Sequence, residues 1–117
     1  WAENAQVLLV VLSNKKTTYG GNVFDSPTHS FDTGAATVQL LLQARELRIA
    51  THPIGGFDYE KVKQVFVGDR ADKDDYAVNA IVVMGRAVEQ IPEHELPRSG
   101  RKVISEFAFE NELPAAE

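Results

Sequence analysis

Apolar residues along the chain cluster in two nearly continuous runs and in two helically spaced segments. The runs, residues 5–12 and 76–84, lack the alternation of a half-exposed strand, which predicts strands buried on both faces in the middle of a sheet. Residues 28–48 have helical spacing, and Asp58 is a good N-cap for a second helix that ends near residue 66. The pattern therefore predicts the order strand, helix, helix, strand.

The first predicted helix carries apolar residues on more than one stripe, which is typical of a helix covered on several sides. We expect the sheet on one side of it, and other helices or another subunit on the other. Gly34 and the two alanines after it would allow a neighbouring backbone to approach closely. A buried core helix is therefore favoured over a helix that contacts a ligand directly. Its apolar positions are Ala35, Ala36, Val38, Leu40, Leu41, Leu42, Ala44 and Leu47.

The remaining segments predict loops and an extended tail. Residues 13–22 are polar and contain a glycine pair, which predicts a loop or a hairpin tip. Residues 51–56 predict an irregular link between the two helices. From residue 91 onward, prolines favour an extended arm with a short strand near residues 103–109.

The predicted strands lack neighbours within the chain. A stable sheet needs more than two apolar strands, and the tail alone could offer another. The chain also begins with Trp1, only a few residues before the first predicted strand. We therefore expect residues 1–117 to be the C-terminal portion of a single larger domain, with an incomplete sheet and a preceding segment that supplies the missing strands.

Composition removes several classes of function. With 12 Lys and Arg against 17 Asp and Glu, the net charge of -5 disfavours a general nucleic-acid binder. The absence of cysteine excludes disulfides, thiol catalysis and zinc–thiolate sites. No apolar run approaches the roughly 20 residues of a membrane span, and no targeting signal is visible, so we expect a cytoplasmic protein without a membrane partner. His29, His52 and His94 lack metal-ligand spacing, so no metal site is expected.

The glycine pair Gly55-Gly56 lies directly before the capped second helix. Backbone N–H groups in such a turn, next to the positive end of a helix dipole, can donate to an anion or to an electron-rich heterocycle. Pro53 and Ile54 would form a rigid apolar wall beside them. The alternative is that the two glycines only make a tight turn.

A short basic cluster stands out in the acidic chain. Arg98, Arg101 and Lys102 lie within five residues, and two arginines could clamp a phosphate in a bidentate manner. The alternative is a solvated tail.

Five segments stand in an informative order. They are residues 5–12, Asp32-Thr33-Gly34-Ala35-Ala36 with Leu40-Leu41-Leu42-Gln43-Ala44, Thr51-His52-Pro53-Ile54-Gly55-Gly56-Phe57-Asp58, residues 80–85, and Arg101-Lys102 followed by Ser105-Glu106-Phe107. This order resembles the C-terminal part of FMN-dependent nitroreductase-family proteins. The resemblance implies an α+β fold, a mixed β-sheet flanked by helices, assembled as an intertwined homodimer with one FMN per subunit at the interface. It also implies that hydride from NAD(P)H reaches the flavin and then a nitroaromatic, quinone or similar small-molecule acceptor, in a ping-pong cycle.

The resemblance assigns roles to individual residues. It implies that Pro53 and Ile54 pack on one face of the isoalloxazine ring, and that the Gly55 and Gly56 N–H groups point toward its N5 and O4 edge. Many family members have an acidic residue at the position of Gly55. The resemblance also implies that Arg101 meets the flavin phosphate, with Lys102 or Arg98 beside it.

The family's N-terminal part, with its Arg-rich phosphate-binding turn, has no counterpart in these residues. Two alternatives to a flavoenzyme therefore stay open. One is a truncated, non-catalytic dimerisation module, and the other is a small-molecule-binding module without flavin.

Overall fold

The structure, a computed structural model, describes residues 2–87 and 100–110. The chain divides into two compact units, Trp1–Ala87 and Val88–Glu117. The first unit contains the sheet and both helices. Its elements are β1 (Val7–Asn14), β2 (Lys16–Tyr19), β3 (Asn22–Asp25), α1 (His29–Glu46), β4 (Ala50–Ile54), α2 (Tyr59–Phe66) and β5 (Tyr76–Gly85), with 3-10 turns at Ala2–Asn4 and Lys73–Asp75.

The main sheet has three antiparallel strands in the order β1-β5-β4. Strand β5 is central, and its Val82 is 0% exposed. Strand β1 lies at the edge of the described sheet, where Val7 and Leu8 remain about half exposed. The prediction of two centrally placed strands is therefore confirmed for β5. For β1 it stays a prediction, because β1 has no second neighbour within residues 2–87 and the missing strands were expected outside this chain.

Of the two predictions about the connecting segments, one is wrong and one is confirmed. The expected irregular link contains β4, which pairs with β5 from Ala50 opposite Gly85 to Ile54 opposite Ile81. Pro53 is compatible with this strand because β4 lies at the edge of the described sheet, where proline is tolerated. For residues 13–22 the expected loop or hairpin tip is confirmed as a hairpin, in which β2 and β3 are joined at Gly20 and Gly21, both with positive φ.

Helix α1 packs one face on the sheet and leaves the other exposed. Its half-buried or buried positions recur with helical spacing at Thr33, Thr37, Leu40, Leu41 and Ala44. The opposite face exposes Phe31, Val38 and Leu42. The predicted cover by the sheet is confirmed, whereas the second side of the helix has no cover among the described residues of the first unit.

A polar network holds the start of α1 over the sheet. Ser13, which is 4% exposed, has its Oγ 2.8 Å from His29 Nδ1, and Asn79 Nδ2 donates to the same Oγ at 2.8 Å. Ser30 Oγ donates to Asn79 Oδ1 at 3.0 Å. Because these bonds join β1, α1 and β5, they satisfy the buried Ser13 hydroxyl and fix the helix entry.

Helix α2 begins as predicted. The Asp58 side chain accepts a hydrogen bond from the Lys61 N–H at 3.0 Å, which satisfies one of the orphan donors of the first turn. The helix ends at Phe66, and the following Val67 is buried. Among the described residues, Ala44, Val67 and Val82 are the buried apolar side chains, which is a small core for a unit of this size.

In the second unit, the predicted strand near residues 103–109 is wrong. Ile104–Glu106 form a 3-10 turn, in which Val103 N–H donates to Glu106 Oε1 at 3.1 Å. The predicted α+β class, with helices flanking a sheet, is confirmed. Within residues 2–87 and 100–110, no helix combines the length and the apolar character that a membrane crossing requires.

Candidate functional site

A pocket of about 590 Å³ lies at the end of β4. It brings together four of the six residues predicted from the sequence, namely Pro53, Ile54, Gly55 and Gly56. The strand fixes the position of this group, because its ladder with β5 ends at Ile54 and the chain then turns through the two glycines into α2. The volume is within the range of ordinary small-molecule sites.

The glycine turn presents backbone donors without obstruction. Outside the strand ladders, no backbone hydrogen bond of the described residues uses the Gly55 or Gly56 N–H, whereas the Gly55 carbonyl accepts from Phe57 N–H at 3.2 Å. A Cβ built on Gly56 would meet no atom within 4 Å, and one on Gly55 would lie 3.5 Å from Tyr59 Oη. The turn is therefore tight, and it is also open on the side where a ligand would approach.

The predicted Asp58 cap limits what the N-terminus of α2 can offer a ligand. The Asp58 carboxylate caps the helix, and its Oδ2 also lies 3.3 Å from Lys61 Nζ. Since a carboxylate already occupies the positive end of the helix dipole, that end attracts a further anion less strongly. The donors left for a ligand are therefore the N–H groups of the glycine turn.

The apolar wall comes from two consecutive residues at the end of a strand that lies at the edge of the described sheet. Pro53 pairs with Val82 and Ile54 with Ile81, so the two neighbouring side chains leave the strand on opposite faces. Ile54 is half-buried and Pro53 is exposed, and both line the pocket.

Sequence reasoning missed three residues of the pocket. Ala2 and Glu3 reach it from the 3-10 turn before β1, and His52 reaches it from β4. No local signal marks Ala2 or Glu3, because they are about fifty positions away from the glycine turn along the sequence. Glu3 adds an exposed carboxylate to the rim, opposite in charge to the cations expected at a phosphate.

The basic cluster belongs to the second unit. Arg101 and Lys102 are exposed there, just before the 3-10 turn, and Arg98 lies outside the described residues. The predicted phosphate clamp thus has two of its three members among the described positions.

The side chains with shifted pKa values described below do not line the pocket. Lys16 Nζ is 2.6 Å from Asp25 Oδ1 in the hairpin, and this hydrogen bond lowers the pKa of Asp25 and raises the pKa of Lys16. Arg70 donates two hydrogen bonds of 2.7 Å to Asp72 and thereby lowers the pKa of that carboxyl. Nowhere in the described chain do three His, Asp or Glu side chains gather as metal ligands would.

Comparisons with known proteins show the family and the fold of the chain. An oxidoreductase containing FMN superimposes with a TM-score of 0.78 at 31% identity, over 99% of this chain and 60% of that one. A nitroreductase family protein from Clostridium difficile 630 superimposes with a TM-score of 0.61 at 23% identity, over 96% of this chain and 63% of that one, and it shows the shared fold. The chain thus spans roughly three fifths of the length of either structure. No curated protein matches the sequence significantly. The nitroreductase family model matches residues 1–86, and the chain belongs to the nitroreductase family.

Proposed function

We propose that the protein is an FMN-dependent oxidoreductase that takes hydride from NAD(P)H and reduces nitroaromatic, quinone or similar acceptors by a ping-pong mechanism. Membership of the nitroreductase family supports a flavin oxidoreductase in general. The similarity to an oxidoreductase containing FMN, at 31% identity, supports the choice of cofactor. The hydride donor NAD(P)H, the acceptor classes and the ping-pong mechanism are further parts of the proposal, and they rest on the resemblance to the family.

The observation that carries the proposal is the glycine turn in its pocket. The N–H groups of Gly55 and Gly56 form no backbone hydrogen bond outside the strand ladders of the described residues. They lie beside the apolar residues at the end of β4, in a pocket of about 590 Å³. A planar heterocycle with an electron-rich edge fits such a site, because its ring contacts the wall while its edge accepts the hydrogen bonds.

Each residue of the turn then has a defined task. Pro53 and Ile54 contact the ring and exclude water from it. The Gly55 and Gly56 N–H groups donate toward the N5 and O4 edge and fix its position, and the absence of a Cβ at Gly56 allows the close approach. FMN supplies, when bound, the capacity to accept a hydride and to pass the electrons on.

The phosphate is assigned to the second unit. Arg101, with Lys102 or Arg98 beside it, would hold the FMN phosphate through charge-assisted hydrogen bonds. A guanidinium suits this task because it can bind two phosphate oxygens at once.

We also propose that the protein works as a homodimer. The support is the exposed apolar stripe of α1, formed by Phe31, Val38 and Leu42, together with the small core of the first unit. Contiguous exposed apolar surface of this kind is typical of an interface. A second subunit would give α1 the cover that its sequence predicts.

Absorbance spectroscopy tests the proposal. The purified full chain, incubated with FMN and freed of excess, is expected to be yellow and to bleach when NADH or NADPH is added without oxygen. Reoxidation by a quinone would then restore the colour. A protein that stays colourless after incubation with FMN contradicts the proposal and favours a non-catalytic dimerisation or binding module. A yellow protein that neither reduced nicotinamide bleaches contradicts only the assignment of the donor.

A further inference from the structure

We propose a second binding site, at the opposite end of β4, for a small organic carboxylate with an apolar body. A groove of about 720 Å³ lies there, between the end of α1 and the end of β5. The length of β4, about 16 Å at 3.3 Å per residue, separates this groove from the glycine turn. Binding at this groove does not depend on the proposed flavin function. The residues that line the groove include Val7, Leu47, Arg48, Ile49, Met84 and Arg86.

Two arginines give the groove its charge. Ala50 pairs with Gly85, so Arg48 and Arg86 flank the same end of the β4–β5 ladder. Arg86 N–H donates to Gln6 Oε1 at 3.0 Å, which fixes the backbone at that point. Both side chains are exposed, and within residues 2–87 and 100–110 neither guanidinium forms an ion pair.

Arg48 occupies a position that favours glycine. Its φ is 59°, and it is the only non-glycine residue with a positive φ in the described part of the chain. Arg48 N–H donates to Arg45 O at 2.9 Å, and Ile49 N–H donates to Ala44 O at 2.9 Å. These are the two bonds of a Schellman motif, in which glycine or asparagine usually takes the left-handed position. An arginine here costs conformational energy, which a binding role for its side chain would explain.

Apart from Gln6, the rest of the groove is lined by apolar residues and glycine. Val7 is 52% exposed and Leu47 is 63% exposed, and Ile49 and Met84 are half-buried beside them. A guanidinium matches the two oxygens of a carboxylate in a bidentate geometry. The Schellman bonds occupy the carbonyl oxygens of Ala44 and Arg45, which reduces the repulsion between the helix end and an anion. The groove therefore suits a carboxylate that carries an aromatic or aliphatic group.

The single methionine of the sequence gives a direct test, because Met84 lines the groove. The full chain with a ¹³C-labelled methionine methyl is titrated with naphthalene-2-carboxylate and, in parallel, with naphthalene-2-carboxamide, which has the same shape without the charge. A Met84→Leu variant assigns the resonance. The Met84 methyl signal is expected to move and saturate with the carboxylate, and the carboxamide is expected to bind about tenfold more weakly. A signal that does not move with the carboxylate, or that responds equally to both compounds, overturns the proposal.

Arg48→Gly separates binding from stability. Glycine accepts the left-handed conformation, so the melting temperature is expected to rise by about 4 °C. The affinity for the carboxylate is expected to fall about tenfold at the same time. Arg45→Ala is the control, since Arg45 is an exposed cation of the same helix turn outside the groove, and it should leave the affinity unchanged. Unchanged affinity in Arg48→Gly overturns the proposal whatever the colour of the protein with FMN.

Discussion

Leu42 lies at the C-terminal end of the apolar stripe of α1 that the described chain leaves uncovered. It is 61% exposed, with Val38 at 54% and Phe31 at 77% on the same face. If the homodimer forms through this stripe, replacing Leu42 by lysine places two ammonium groups at the interface. Leucine and lysine have similar helix propensities, so the substitution leaves the helix itself intact.

The expected effect on dimerisation follows from the exposed area. Complete burial of a leucine side chain contributes about 1.5–3 kcal/mol. Because 61% of Leu42 is exposed in the chain, its burial in a dimer adds about 1.4 kcal/mol per protomer. A two-fold interface uses the residue twice, which gives about 3 kcal/mol and a dissociation constant about a hundredfold larger for Leu42→Lys. Desolvation of the ammonium groups acts in the same direction.

Sedimentation equilibrium measures this dissociation constant. The control is Gln43→Lys, which introduces the same charge one residue later, about 100° around the helix, at an exposed polar position. The control should dimerise as the parent protein does, and Leu42→Lys should be monomeric at micromolar concentration. A parent protein that is monomeric throughout, or a Leu42→Lys variant with the parent's dissociation constant, would show that no homodimer forms through the apolar stripe of α1.

Three further predictions address stability and cofactor binding. Gly34→Ala should raise the free energy of unfolding by about 0.5–1 kcal/mol in urea titrations, because Gly34 lies inside α1 and an added Cβ meets no atom within 4 Å; a destabilised variant would mean that another backbone approaches there. Lys16 holds the pKa of Asp25 below its ordinary value, so the contribution of this pair is present above that value, about 3.9, and is lost as the pH falls through the folded-state pKa. The stability difference between the parent and Asp25→Asn should thus be larger at about pH 6 than in acid and should shrink as the pH falls, and a difference that grows with acid would contradict it. Arg101→Ala should weaken FMN binding more than riboflavin binding in fluorescence titrations, since riboflavin lacks the phosphate, and equal losses would show that Arg101 does not contact it.

The sequence predicts the helices and the central strand closely because their signals are local. The Asp58 cap marks the start of α2, and helical spacing marks α1 to within two residues at each end. The continuous apolar run of β5 is equally clear. The same kind of run in β1 predicts two covered faces but cannot say which segment covers them.

The strands that were missed lack such signals. The hairpin strands β2 and β3 are largely exposed, so no buried face imposes an apolar alternation on Lys16–Tyr19. Strand β4 is short and contains Pro53, which normally argues against a strand and is tolerated only because this edge has no further partner in the described sheet.

The sequence likewise predicts some residues of the candidate site and not others. The glycine turn and its apolar neighbours are contiguous, so local chemistry was sufficient to find them. Glu3 joins them only because the chain before β1 passes the end of β4, which is a property of the fold. The sequence does not single out Arg48, because its left-handed backbone conformation is seen only in the structure.

Equilibrium titration with FMN measures whether the glycine turn Gly55-Gly56 holds the flavin. Flavin fluorescence would be followed for the parent chain, for Gly56→Ala and for the matched control Gly34→Ala, since an added Cβ meets no atom within 4 Å at either glycine. The parent and Gly34→Ala are expected to bind FMN alike, and Gly56→Ala is expected to bind it about tenfold more weakly because its methyl group separates the ring from the backbone donors. Equal FMN affinity in all three proteins would contradict the claim that the glycine turn holds the flavin.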